Sequence, residues 1–352
     1  RRVNTHYRGV SMLQNFLDSV PQFRQVLSAL GRSFDMPIFA AGVSGSERAM
    51  LISGIEKRHG KPVLVITPDE ASATRLSEDI AALCEPSAVA LYPIRDLRFR
   101  MAESSSAEYE QKRLAVLGRI LEGSCKVVVT SVEAALQFTI PPGTFKFNTF
   151  SIERGQSYDM EDLAKRLSRA GYERRSQVDG PCQFSVRGGI LDFFSPQSKD
   201  PVRIEFWGDE IDCISLFDPE SQRRSENAEE IEITPACEIL YNPLKFAEVL
   251  KNYLNNAKVL TEKQKERLSF DINALENGIS VHADRYIPLI YEGGETVFDY
   301  VRDSLHFVSE SGSITERLKS IFIQQTEDAE ALLTEGFLSE ATSMLWLGSS
   351  EF

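Results

Sequence analysis

The sequence predicts an α/β fold: a parallel sheet split in sequence, with a smaller α+β domain inserted between its halves. Three observations carry that prediction. Short β-branched runs at Lys61–Thr67 and Lys126–Thr130 alternate with helical patterns at Pro68–Leu83 and Ala107–Leu121. Unbroken apolar strands between amphipathic helices belong to a parallel sheet covered on both faces. After Phe150 the rhythm changes to closely spaced strands separated by turn clusters, the pattern of an antiparallel sheet. Helices then return, and a further strand-like run follows at Leu305–Val308. The expected division is 1–148, 149–238 and 239–352, with the first and last parts completing one domain.

The first element is the apolar run Pro37–Ala41, which leads into Gly42-Val43-Ser44-Gly45-Ser46-Glu47-Arg48-Ala49 and a helical pattern from Ser46. A phosphate-binding loop reads G-x-x-x-x-G-K-[ST] between a strand and a helix. Gly42 holds the first glycine position, whereas Glu47, Arg48 and Ala49 stand where Gly, Lys and Ser/Thr belong. A carboxylate replaces a phosphate-facing backbone, a guanidinium replaces the compact ammonium, and the magnesium-binding hydroxyl is gone. The frame is therefore P-loop-like with a degenerate site. A structural turn built on Gly42 and Gly45 outweighs residual ATP binding through Arg48.

The inserted part opens with an amphipathic helix at Asp159–Gly171, with Asp159 as N-cap and Gly171 as its stop. Strands are expected at Gln183–Val186, Gly189–Phe194, Val202–Phe206 and Ile211–Phe217, then at Glu229–Thr234. Helices follow at Pro243–Tyr253, Glu262–Leu275 and Thr315–Leu333.

The bulk numbers narrow the function classes. The chain has 352 residues, 39 Lys and Arg against 52 Asp and Glu, and a formal charge of −13. That balance disfavours non-specific nucleic-acid binding, which needs cations to displace counterions. Five scattered cysteines form no C-x-x-C pair, and His6, His59, His282 and His306 lack metal-ligand spacing. No metal site or catalytic group is expected. No apolar run reaches 18 residues, so a cytoplasmic protein without a membrane partner is expected. Arg1-Arg2 without a preceding Met suggests a trimmed or tagged product, with Met12 a possible native start, and the end at Leu345 to Phe352, without a cap or tail, reads as a cut boundary. Arg95, Arg98 and Arg100 interleave with Leu97 and Phe99; a solvated edge or an interdomain contact outweighs phosphate binding, given Glu103, Glu108 and Glu110 nearby.

The most specific string is Gly171-Tyr172-Glu173-Arg174, then Gln183-Phe184-Ser185-Val186-Arg187-Gly188-Gly189-Ile190-Leu191-Asp192-Phe193-Phe194. It continues through Pro201–Asp212 and Phe217-Asp218-Pro219-Glu220-Ser221-Gln222. This string resembles domain 2 of the bacterial excision-repair subunit UvrB and of the transcription-repair coupling factor (Mfd) family, and the resemblance extends over nearly the whole chain. It implies a helicase-like UvrB domain 1 for the split part. Asp299-Tyr300 through Gly312 resembles the segment with UvrB's D-E-x-H box, with Ser309 for the Asp, Glu310 retained and Gly312 for the His. UvrB also carries a Tyr-rich hairpin that inserts into DNA. The matching region here has only Tyr92 and Tyr109, too few for base stacking.

These departures favour the coupling-factor family. The resemblance implies a non-enzymatic module with no cofactor of its own, ATP and magnesium being used by motor domains that lie outside this chain. UvrA is the implied partner, through Arg174 and Arg187, with Arg175, Phe184 and Phe194 beside them; Ser185 stands where UvrB has a third arginine. An ion pair of Arg187 with Asp192 or Glu205 is the competing reading, and a core position is the competing one for each Phe. Further implied partners are the family's own C-terminal domain, masking the surface, and RNA polymerase and DNA through regions absent here. The alternative is a UvrB-like, ATP-dependent DNA-damage-recognition subunit.

Overall fold

A computed structural model describes residues 16–31, 37–43, 45–97, 107–339 and 342. In chain order the principal elements are α1 Pro21–Leu30, α2 Ser46–His59, β1 Val63–Thr67, α3 Glu70–Ala81, β2 Val89–Tyr92, α4 Ala107–Leu121 and β3 Val127–Ser131. Next come β4 Phe150–Glu153, α5 Met160–Arg169, β5 Glu173–Arg174, β6 Gln183–Arg187, β7 Ile190–Phe193, β8 Val202–Trp207 and β9 Glu210–Phe217. The series ends with β10 Arg224–Ala228, β11 Glu230–Ile233, α6 Pro243–Asn256, α7 Glu262–Glu276, β12 Leu305–Val308 and α8 Ser311–Glu335.

The chain is α/β, with a parallel sheet and two further sheets. The parallel sheet has the order β12-β1-β3-β2. Every residue of β1 and β3 is buried, as their unbroken apolar runs require. Ile52 of α2 and Leu76 and Ile80 of α3 pack against Val65 and Val129. Asp69 caps α3 by accepting from the Ser72 N–H at 2.8 Å. That bond, the largest cause, holds the Asp69 carboxyl below the usual range. Pro37–Ala41 departs from the sequence expectation: Pro37–Ala40 are exposed and carry no ladder, and Phe39 stands open to solvent. Apolar composition alone does not make a strand without a partner edge.

The second large sheet has the order β10-β9-β8-β7-β6-β5. It is antiparallel except at one edge, where β5 runs parallel to β6. Helix α5 covers one face, with Leu163 and Leu167 against Phe184, Leu191, Ile204 and Ile214. Asp159 caps it through the Asp162 N–H, as expected. Tyr172 donates to the Thr234 carbonyl and meets Phe193 edge-on, tying the sheet to β11. β11 pairs antiparallel with β4. Helices α6 and α7 pack as a hairpin around Phe246, Leu250, Leu268 and Leu275.

By contact the chain forms two compact units. The described residues within 1–94, 119–135 and 301–319 form one unit, which holds the parallel sheet; those within 95–118, 136–300 and 320–352 form the other, which holds the six-stranded sheet. No helix among the described residues is long and apolar enough to cross a membrane.

Candidate functional site

The six-stranded sheet presents the arginines singled out in the sequence on different faces. Arg174 of β5 pairs with Phe184 of β6. Aligned neighbours share a face, so Arg174 lies on the α5 side. Arg187 is three residues further along β6, and alternation puts it on the opposite side. Arg174 is exposed and has no ion pair among the described residues. It lines a surface cavity of about 310 Å³ with Lys165, Arg169, Glu161 and Phe184. Arg175 points away from that cavity by the same alternation, and its guanidinium pairs with Glu173 at 2.8 Å.

Arg187 ends β6 opposite Ile190, around a turn of Gly188 and Gly189. Its guanidinium donates to Asp192 at 2.7 Å while its side chain stays 43% exposed. Asp192 is fully buried and is also gripped by Arg203, whose Nε and Nη2 each donate at 2.8 Å. Arg203 in turn stacks on the Phe217 ring, 4.4 Å from its centroid. The hydrogen bond to Asp192 is the largest influence on the Arg203 pKa, which lies above its ordinary value. Arg203 thus balances the buried carboxylate, and Arg187 completes the set from the solvent side. Of the two carboxylates weighed from sequence, Asp192 is the partner of Arg187; Glu205 pairs with Arg224.

Phe184 and Phe194 are buried, so neither offers the exposed aromatic expected of a binding centre. Phe184 packs under α5, and Phe194 closes a small cluster with Val178 and Phe217 on the other face. Ser185 is buried too and donates to the Ser176 carbonyl. The exposed aromatic of this domain is Trp207, at 84% exposure, which sequence reasoning passed over. Its signal was its position: the last residue of a strand before Gly208-Asp209, where neither sheet face can cover a side chain.

The parallel-sheet unit brings together the two stretches around Arg48 and Glu310. Gly45 precedes α2 at φ +47, and Gly42 lies at φ +78, both in the left-handed region glycine favours. Ala49 faces the core and Glu47 is exposed. Arg48 donates to Ser309 Oγ at 2.7 Å and to Glu310 Oε1 at 2.6 Å. The Ser309 N–H extends the β12–β1 ladder by donating to the Ile66 carbonyl, and Glu310 turns the chain into α8 at φ +58. A cavity of about 220 Å³ is lined by these residues with Gly45, Arg75 and Asp79. Arg48 is thus engaged by the chain's own carboxylate, Glu310.

Arg95 is not on a solvated edge. It is buried and donates to Asp284 at 2.7 Å. Arg98, Phe99, Arg100 and Glu103 lie outside the described residues. Tyr92 is buried and Tyr109 exposed. Burial pushes the Cys125 thiol up to about 11 and the Cys182 thiol up to about 12, away from thiolate chemistry at neutral pH. Among the described residues, no group of three His, Cys, Asp or Glu is placed to hold a metal.

Residues 150–238 match the family of the UvrB interaction domain. The chain is 30% identical over 335 residues, 92% of its length, to the transcription-repair-coupling factor of Bacillus subtilis (strain 168). It is 30% identical over 275 residues, 74% of its length, to that of Myxococcus xanthus. Identity is 26% over 350 residues to that of Staphylococcus epidermidis. The chain spans 28%, 22% and 29% of the length of these relatives, respectively.

Proposed function

We propose that this homologue of the transcription-repair-coupling factors, with its UvrB interaction domain at 150–238, is a non-catalytic recruitment module that docks UvrA for nucleotide excision repair. The matched domain carries the reading, because it contains both the arginines expected to contact UvrA and the exposed Trp207. Arg187 is the better-oriented arginine: Asp192 fixes it from below while part of its guanidinium stays accessible. An arginine held this way pairs with a partner carboxylate at small entropic cost. Arg174 lies beyond the sheet edge from it, so a partner using both must wrap β5. In the full-length relatives' setting, further domains would supply ATP-driven motion and contacts to RNA polymerase and DNA, and the C-terminal domain would mask this surface. On this reading the division 1–148, 149–238 and 239–352 separates a nucleotide-free frame from the docking domain. The chain would work in the cytoplasm and use no cofactor of its own.

Pull-down and calorimetry with UvrA test this. The chain binds UvrA, Arg187→Ala weakens binding, and Arg174→Ala weakens it less. Absence of binding by the parent chain would overturn the reading. The UvrB-like ATPase alternative needs nucleotide. The Arg48–Glu310 ion pair weighs against it, and calorimetry with ATP and magnesium is expected to give no heat of binding. Micromolar affinity there would restore the alternative.

A further inference from the structure

We infer that Trp207 is the aromatic anchor of the docking surface, at the end of the sheet where the β6–β7 and β8–β9 turns lie side by side. The inference rests on the recruitment reading above and names the part of the domain that makes the contact.

The topology brings the two turns together. β6, β7, β8 and β9 form a meander, so alternate turns fall at the same end. The Phe206 N–H donates to the Gly189 carbonyl at 2.8 Å, which seats the first turn against the strand that ends in Trp207. A Cβ on Gly189 would meet the Phe206 carbonyl at 3.2 Å, so this close approach suits glycine. Arg187 and Trp207 stand two strands apart, on the order of 10 Å. Within 150–238, Trp207 is the one large apolar side chain that is exposed.

An isolated exposed leucine needs no explanation. Tryptophan differs, because it carries some 150–250 Å² of surface, burial of which folding here leaves unused. The hairpin under it is also tied down by backbone hydrogen bonds. Gly208 takes φ +66, the left-handed value that the first position of a two-residue turn requires. The Tyr158 N–H donates to the Asp209 carbonyl at 2.8 Å, and the Ile211 N–H to the Gln156 carbonyl at 3.0 Å. Trp and Arg on rigid elements are the residues that dominate interface energies, since little freedom is lost when they dock.

The charges around Trp207 define the complement. Arg187 presents guanidinium hydrogens on one side. Asp209 and Glu210 are exposed on the other, while Glu205 is already paired with Arg224. The fitting partner is a protein surface with an apolar pocket for the indole, a carboxylate on the Arg187 side and a cation on the Asp209–Glu210 side. Under the recruitment reading that surface belongs to UvrA.

The test is calorimetry of the whole chain with UvrA. Trp207→Ala is expected to weaken binding at least thirtyfold, roughly the hot-spot threshold. Trp207→Phe, which keeps an aromatic, is expected to stay within about threefold of the parent. The melting temperature of both is expected to match the parent, since the side chain is exposed. In a Trp346→Phe background, 5-fluorotryptophan at 207 is expected to shift its fluorine resonance on UvrA addition. If the parent binds UvrA and Trp207→Ala binds within twofold of it, the anchor assignment is overturned and recruitment stands. If the parent does not bind, both fall.

Discussion

Asp192 shows how one residue divides structural from surface work. It is a fully buried carboxylate with two guanidinium partners of unequal depth: Arg203 is nearly buried and Arg187 is largely open. Removing one partner of a buried pair leaves an uncompensated charge, at a cost of about 3–5 kcal/mol. Arg203→Ala leaves Asp192 with only the more exposed Arg187 and is therefore expected to destabilise the chain by up to roughly that amount, including the loss of the Phe217 stack. Arg187→Ala leaves the two-bond grip of Arg203 intact and is expected to cost less than about 1 kcal/mol, the range of exposed pairs. Urea unfolding of the two variants checks the asymmetry. Equal losses would mean that Arg187 is as structural as Arg203, and would remove the rationale for Arg187 as a contact residue.

At the scale of elements, the sequence was legible wherever periodicity and punctuation agreed. The helix expected at Ala107–Leu121 has those bounds, and Asp159 caps α5. The four strands from Gln183 to Phe217 fall within a residue or so of their expected ends. The edge strands of the six-stranded sheet were not legible. β10 is Arg224-Ser225-Glu226-Asn227-Ala228, exposed along nearly its whole length, and β5 is Glu173-Arg174. A charged edge is how sheets avoid further pairing, and it erases the apolar alternation by which strands are recognised. The pairing of Arg187 was anticipated as one alternative, but the opposite orientations of Arg174 and Arg187 depend on the register of β5, which no local pattern specifies. Trp207 went unread because composition reports an aromatic and not its exposure. The legible cap gives a prediction: Asp159→Ala is expected to cost about 1 kcal/mol, the usual value for an N-cap, seen as a lower denaturant midpoint with unchanged slope.

At the scale of the whole molecule, a buried charge cluster makes stability depend on pH. Arg113 of α4 is fully buried, donates from Nε to Glu238 Oε1 at 2.6 Å and reaches Gln137 at 3.0 Å. Thr139 also donates to Glu238, and Arg95 pairs with Asp284 and Glu238. Glu110 shares the inward face of α4 with Arg113, three residues on, and accepts from the Glu238 N–H at 2.8 Å. Three carboxylates, Glu110, Glu238 and Asp284, thus face two guanidiniums, with the Cys182 and Cys237 thiols adding only neutral groups. Glu110 as a residue is half buried, but its carboxylate turns inward. Burial raises its pKa above the ordinary value, and the charges of Glu238 and Asp284 add to that. Arg95 and the Glu238 N–H act in the opposite sense. A folded-state pKa above the unfolded one means that the folded state holds its proton longer. Stability from Glu110 is then full below the ordinary carboxylate range and falls as pH rises through it toward the folded value. Asp69, with its depressed pKa, contributes in the other direction, losing stability as pH falls. Glu110→Gln keeps an acceptor for the Glu238 N–H and removes the buried charge. It is expected to raise the melting temperature at pH 8 and to leave it unchanged near pH 4, so that the two profiles diverge with rising pH. Parallel profiles across that range would show that Glu110 ionises in the fold without cost.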